Sequence, residues 1–103
     1  MPGRVRKTLE RVTENAVLRW TRGHGITDTK MNTMGRNAWP DRCFWIPLGK
    51  PLFIEFKRLG EKPTPAQADI HQLLRTLGYE VGVYDNPEEA LELIRKRIAR
   101  LRK

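Results

Sequence analysis

Two carboxylates and a lysine occur in this sequence at the spacing of a β-hairpin. Asp41 follows Pro40 directly before one predicted strand, and Glu55 and Lys57 lie two residues apart in the next. Because side chains alternate along a strand, Glu55 and Lys57 share a face, and antiparallel pairing can bring Asp41 beside them. Two carboxylates held together repel each other unless a cation lies between them, and Mg²⁺ prefers oxygen ligands.

A lysine beside such a cation could steady charge on a phosphate or orient a water molecule. Phosphodiester hydrolysis needs these parts. From these residues alone, a purely structural role for all three side chains stays open. The tetrapeptide Ile54-Glu55-Phe56-Lys57 also fits a half-exposed strand whose charged side chains simply face water, and Pro-Asp before a strand is a common turn.

The charge of the chain favours a polyanionic partner. Lys and Arg total 20 against 12 Asp and Glu, a formal net charge of +8 over 103 residues. Nucleic acid is the simplest such partner, although an acidic membrane surface or plain solvation would also suit a basic face. With 39% hydrophobic residues, we expect one folded domain over residues 1–103, with mobile basic tails at 1–7 and 99–103.

The single cysteine, Cys43, excludes an internal disulfide and fits a reducing cytoplasm. The basic start is not followed by the apolar segment of a secretory signal. No apolar run approaches the roughly 20 residues that a membrane span needs. We therefore expect a cytoplasmic protein with no membrane partner.

The elements that must position the three polar residues follow the order αβββαβα, which predicts an α/β domain with a central mixed sheet flanked by helices. The predicted helices cover about 8–20, 64–77 and 86–101, and the predicted strands cover about 26–32, 42–46, 52–57 and 79–84. A loop is expected over 34–40. Thr8 is the expected cap of the first helix, and Thr64 with Gln67 predicts a capping box on the second.

Apolar side chains at helical spacing predict the buried stripe of each helix. The stripes are Leu9, Val12, Ala16 and Trp20 in the first helix, Ala66, Ile70, Leu73, Leu74 and Leu77 in the second, and Ala90, Ile94, Ile98 and Leu101 in the third.

A longer series of motifs extends the hairpin pattern. Pro40-Asp41 followed by Glu55-Phe56-Lys57 resembles the PD-(D/E)XK nuclease signature. Together with residues 39–42, 51–57, 63–67 and 86–90, and with His71, Leu74, Arg75 and Gly78, the series resembles the VRR-NUC family of virus-type replication-repair nucleases. The resemblance runs from about residue 10 to 94 and implies a restriction-endonuclease-like core.

The resemblance implies a catalytic role for each member of the site. Asp41 and Glu55 should be metal ligands for Mg²⁺ or Mn²⁺, and Lys57 the catalytic lysine. A glutamate of the first helix should join them. Glu14 is preferred because its distance to the glycine that ends the helix looks like that in related Holliday-junction resolvases, and Glu10 is the substitute.

Further residues are expected around this centre. Gln67 matches a family glutamine near the active site and can also serve in the capping box. Arg42, Arg58 and Lys62 flank the site and are expected to contact DNA phosphates, which would give affinity without reading sequence. His71, one turn after Gln67, could touch the scissile phosphate or the metal shell, or merely pack at the helix edge.

The function implied is a metal-dependent, structure-selective DNA endonuclease acting on branched DNA such as Holliday junctions or flaps. A homodimer with two sites is expected, because a chain this small offers little surface for gripping a junction. The small stand-alone form suggests a phage gene, hence the host cytoplasm, and a role in recombination or repair. The alternatives are a non-catalytic DNA-binding module with the same fold and a basic assembly protein.

Overall fold

The computed structural model describes residues 2–31 and 38–101, and the side chains of residues 10–31 and 38–100. The elements are α1 (Pro2–Gly23), β1 (Thr27–Lys30), β2 (Arg42–Trp45), β3 (Leu52–Phe56), α2 (Pro65–Thr76), β4 (Glu80–Tyr84) and α3 (Pro87–Leu101). The predicted order αβββαβα is confirmed. The loop predicted over 34–40 falls largely outside the described residues. No helix in the described ranges is long and apolar enough to cross a lipid bilayer.

The four strands form one mixed sheet in the order β1-β2-β3-β4. β1 pairs with β2 and β2 with β3 in antiparallel fashion, whereas β3 and β4 are parallel. The parallel pair requires a crossover, which α2 supplies between β3 and β4. β3 is central, and all five of its residues are buried. β3 therefore has a paired strand along each edge and packed side chains on each face.

Alternation along β3 places its side chains on two faces, as predicted, and each face contributes to a separate core. Ile54 and Phe56 join a cluster with α1 and α3 residues, including Val17 and Ile94. Phe53 lies on the other face, in a smaller cluster with Cys43, Leu74 and Val81. Glu55 and Lys57 share the face of Phe53, which is the face that α2 covers.

The prediction for the first helix is wrong at its start and only partly right in its buried stripe. The helix begins at Pro2 rather than at a Thr8 cap. Its buried residues are Thr13, Val17, Leu18 and Thr21, while the predicted member Val12 is 55% exposed. The predicted member Trp20 does pack against the core, and the side chain of Leu9 lies outside the described residues. Two threonines in the stripe hide it from a search for apolar periodicity. The buried Thr21 hydroxyl has a hydrogen-bond partner within the helix, since it donates to the Leu18 carbonyl at 3.2 Å.

The second helix begins as predicted, with the full capping box of Thr64 and Gln67. Its predicted stripe is only partly right, since Leu73 and Leu77 are 46% and 63% exposed. The buried positions are His71 and Leu74. The helix is turned so that a polar edge faces the sheet where Glu55 and Lys57 lie. In α3, Ala90 and Ile94 are fully buried and Ile98 packs beside them. Residues 2–7 and 99–101, expected as tails, are helical.

Candidate active site

Asp41 and Glu55 come together at the open end of the β2–β3 hairpin. The pairing of Arg42 with Ile54 places Asp41 opposite Glu55 by the antiparallel register. At this point the Asp41 side chain replaces a backbone partner, because its Oδ2 accepts a 2.7 Å hydrogen bond from the Phe56 amide. The Asp41 carbonyl also accepts from the Met31 amide at 2.9 Å. The carboxylate is therefore tied to the central strand.

The two carboxyl groups lie opposite each other across the hairpin, and the Glu55 side chain is only 4% exposed. Burial and the nearby Asp41 charge raise the pKa of Glu55 to about 9. Burial also raises the pKa of Asp41, although the Phe56 amide partly offsets this. Both shifts have one physical cause, because two negative charges cannot lie side by side out of water without compensation. The pair needs either a proton or a cation.

The donor set of this pair fits a hard divalent cation. Glu55 Oε1 is buried and has no hydrogen-bond partner within the described part of the chain, so it is free to act as a ligand. Residues 10–31 and 38–100 contain no group of three or more His, Cys, Asp and Glu side chains able to hold a metal. Mg²⁺ commonly binds through one or two carboxylates and keeps several waters. The carboxylate pair therefore suits Mg²⁺ or Mn²⁺ better than a closed structural site.

Lys57 continues the line of β3, where its amide donates to the Tyr84 carbonyl at 2.8 Å. Its side chain is buried, and Nζ donates a 2.7 Å hydrogen bond to Gln67 Oε1. Glu61 Oε1 lies 3.9 Å from the same Nζ. The Glu61 carboxylate also forms an ion pair with Arg58. The lysine is thus fixed in position on the face that carries Glu55.

Both candidate glutamates of α1 line the cavity at Asp41, together with Arg11 and Phe56. The cavity holds about 200 Å³, enough for an ion with several waters, each of which takes about 30 Å³. Burial, then Glu61 and Asp41, raise the pKa of Glu10. Glu14 Oε2 accepts a 2.8 Å hydrogen bond from Arg42 Nε. Both carboxylates therefore line the cavity beside Asp41, although among the described side chains they complete no three-ligand group with Asp41 and Glu55.

The four residues expected to contact DNA occupy different surroundings. Lys62 is exposed and Arg58 is half-buried beside Glu61. Arg42 is bonded to two carboxylates, and its side chain is 16% exposed. His71 is 2% exposed, with its Nε2 3.6 Å from Glu55 Oε1. Burial and the nearby Arg75 and Lys57 charges lower the pKa of His71.

Two residues at the site were missed by sequence reasoning. Glu61 lies beside Lys57 and Arg58, and its spacing of four and three residues from them could have indicated the contacts. Asp28 accepts hydrogen bonds from both Arg22 and Arg42. No local pattern predicts the second bond, because it joins residues 14 positions apart across β1 and β2.

Comparison with known proteins agrees with this architecture. No family model matches the chain. A protein of Acyrthosiphon pisum secondary endosymbiont phage 1, named "Putative nuclease p44", is 44% identical over 59 residues, 57% of this chain and 63% of that relative. The match thus spans less than two thirds of the phage protein.

A solved structure described as a VRR_NUC domain superposes with a TM-score of 0.74 and 26% identity, covering 84% of this chain and 95% of that one. The restriction-endonuclease-like core expected from the sequence is confirmed by this superposition. The chain therefore has the fold of a VRR-NUC domain, and the resemblance predicted from its motif series is confirmed.

Proposed function

We propose that this protein is a metal-dependent DNA endonuclease that hydrolyses phosphodiester bonds with Mg²⁺ or Mn²⁺. Asp41, Glu55 and Glu14 are the proposed metal ligands, with Glu10 as the substitute for Glu14, and Lys57 is the proposed catalytic lysine. The observation that carries the proposal is the placement of Asp41 opposite the buried Glu55 by the β2–β3 register, on the strand that Lys57 continues. The phage relative, which is named a nuclease, and the superposition on a VRR_NUC domain support it.

Each side chain has a separate task in the proposed reaction. Asp41 and Glu55 supply oxygen ligands, and a bound divalent cation supplies positive charge to the phosphate and makes water a better nucleophile. Lys57 Nζ, held by Gln67, presents its charge and protons to the attacking water or a phosphate oxygen. Gln67 is neutral, so it orients the ammonium group without cancelling its charge. Burial of these groups strengthens their electrostatic effect.

The proposed substrate is branched or otherwise structured DNA, such as Holliday junctions or flaps. The net charge of +8 favours phosphate contacts, for which Arg58 and Lys62 lie next to the site in sequence and His71 is a further predicted contact. Arg42, also predicted as a contact, is bonded to Glu14 and Asp28. Contacts of this kind fix position without reading bases. A homodimer would place two sites on two strands. The proposed setting is the host cytoplasm, in recombination or repair of phage DNA.

One cleavage assay tests this function. A labelled four-way junction and a linear duplex of the same sequence are incubated with the protein in Mn²⁺ or in EDTA, beside Lys57→Ala. We expect cutting in Mn²⁺ alone, faster on the junction, and lost in Lys57→Ala while that variant still binds DNA. Lys96→Ala, on the outer part of α3, removes the same charge and should cut normally.

The other outcomes separate the alternatives. Binding of the junction without cutting in any metal would support the DNA-binding module. Equal cutting of junction and duplex would overturn structure selectivity alone. Neither binding nor cutting would support an assembly protein with a fortuitous motif. A monomer mass by light scattering, at concentrations where the protein cuts, would overturn the homodimer.

A further inference from the structure

A chain of ion pairs connects three elements behind the candidate active site. Arg42 of β2 donates from Nε to Glu14 Oε2 at 2.8 Å and from Nη1 to Asp28 Oδ1 at 3.0 Å. Asp28 of β1 accepts in turn from Arg22 at 3.0 and 3.1 Å. Arg42 is thus the link between the buried carboxylate of β1 and the site-facing carboxylate of α1.

Burial distinguishes this link from an ordinary surface ion pair. The side chains of Arg42 and Asp28 are 16% and 5% exposed, and Glu14 is 25% exposed. The hydrogen bond from Arg22, then the nearby arginine charges, hold the pKa of Asp28 below its usual value despite burial. Asp28 is therefore a fixed negative charge that orients the Arg42 guanidinium from behind.

The site end of the chain lies at the proposed metal ligands. Glu14 lines the cavity that Asp41 also lines, and the Glu14 charge acts on Asp41 by raising its pKa. Without a counter-charge, the Glu14 carboxylate would be repelled from this acidic cavity. Arg42 supplies that counter-charge through one oxygen, Oε2, and no other hydrogen bond to Glu14 occurs in the described ranges.

We propose that Arg42, held by Asp28, is a positioning residue that fixes the Glu14 carboxylate beside Asp41 for metal binding, rather than a phosphate contact. This inference rests on the proposed function, because it concerns a ligand of the proposed metal. It concerns Glu14 rather than Glu10, because Glu14 is the glutamate that Arg42 holds. Lysine would not serve equally, because a single ammonium group lacks the fork that engages two carboxylates in fixed directions.

The test measures binding of Mn²⁺ alone by calorimetry to the full chain, without DNA. The variants are Arg42→Ala, Arg42→Lys, Glu14→Gln and the Arg42→Ala/Glu14→Gln double variant, and their thermal unfolding is recorded in EDTA. Arg19→Ala is the matched control, since it removes an exposed arginine of α1. DNA affinity in EDTA, by fluorescence anisotropy on a junction, is measured in parallel.

We expect Arg42→Ala to weaken Mn²⁺ binding about 10- to 100-fold, the range for losing an outer-shell partner, and Glu14→Gln to weaken it at least as much because it changes the ligand itself. The double variant should bind about as weakly as the weaker single variant, because both changes remove one interaction. Arg42→Lys should also weaken Mn²⁺ binding, and it carries the test if Arg42→Ala does not fold. DNA affinity in EDTA should fall no more in the Arg42 variants than in Arg19→Ala.

Three results would overturn the inference. Glu14→Gln binding Mn²⁺ as the wild type does would show that Glu14 is not a ligand. An Arg42→Ala effect that persists in full in the Glu14→Gln background would show that Arg42 acts elsewhere. Loss of DNA affinity with unchanged Mn²⁺ affinity would make Arg42 a phosphate contact. If the wild type itself neither binds Mn²⁺ nor cuts DNA, the proposed function is overturned as well. That outcome differs from the three above, in each of which the wild type binds Mn²⁺.

Discussion

Gln67 Oε1 accepts a 2.7 Å hydrogen bond from Lys57 Nζ while accepting a second, at 2.9 Å, from the Thr64 amide. The same atom therefore closes the capping box of α2 and holds the proposed catalytic lysine. The backbone amide of Gln67 in turn donates to the Thr64 hydroxyl at 3.2 Å. The start of the helix and the position of the ammonium group are set by one side chain.

Changing the cap and the lysine contact separately should separate stability from catalysis. Thr64→Ala removes the cap hydroxyl and leaves Gln67 Oε1 in place, so it should cost about 1 kcal/mol of unfolding free energy with little change in kcat. Gln67→Ala should cost a similar stability but lower kcat about 10-fold or more, because Lys57 loses its orienting partner. Urea unfolding and single-turnover cleavage measure the two effects. Equal kcat losses in both variants would contradict the dual role.

The raised pKa of Glu55 predicts how the metal-free protein responds to pH. The pKa is about 9 in the folded chain against an ordinary value of 4.5. The folded state therefore binds the proton more tightly, and its stability falls as pH rises between these values. Urea unfolding in EDTA is measured at pH 7 and pH 9, both above the ordinary pKa of histidine. The wild type should be less stable at pH 9.

Glu55→Gln provides the control for this pH effect. The glutamine side chain cannot ionise, so the free energy of unfolding of this variant should fall much less between pH 7 and pH 9. At pH 9 it should exceed that of the wild type by about 1 kcal/mol or more, since one pKa unit corresponds to about 1.4 kcal/mol. Saturating Mn²⁺ should also stabilise the wild type at pH 9, because the ionised pair is the form that binds a cation. An unchanged pH slope in Glu55→Gln would disprove the assignment of this titration to Glu55.

Lys62 tests the predicted phosphate contacts. Its exposed ammonium group lies in the loop between Lys57 and α2. Lys62→Ala should weaken binding to junction and duplex alike and reduce the slope of log affinity against log salt by about 1. Anisotropy titrations in EDTA at several salt concentrations measure this. Lys96→Ala, whose lysine pairs with Glu92, is the control, and an equal effect there would argue that binding is not localised at the site.

The features that were predictable from sequence depend on local periodicity. The alternation of β3 assigned Ile54 and Glu55 to opposite faces, and the spacing of Thr64 and Gln67 gave the helix start. The opposition of Asp41 and Glu55 followed from a short hairpin, in which register is constrained by the turn. These relationships involve few residues and little chain between them.

The features that escaped prediction depend on contacts between distant elements. The buried stripe of α1 contains Thr13 and Thr21, whose polarity conceals it until the sheet is placed against the helix. Arg42 lies 28 residues from Glu14, and only the folded sheet brings the two together. Charged residues in a sequence do not reveal whether they face solvent, DNA or each other, so the Asp28–Arg42 link required the structure.

The metal-dependent active site is tested most directly by measuring Mn²⁺ binding and junction cleavage on the same preparations of wild type and Asp41→Asn. Asp41→Asn can still accept from the Phe56 amide, so the variant should fold and unfold at a similar temperature. We expect the wild type to bind Mn²⁺ and to cut, whereas Asp41→Asn should bind Mn²⁺ at least 10-fold more weakly and should not cut. Cleavage by Asp41→Asn at the wild-type rate would show that Asp41 is not part of the active site.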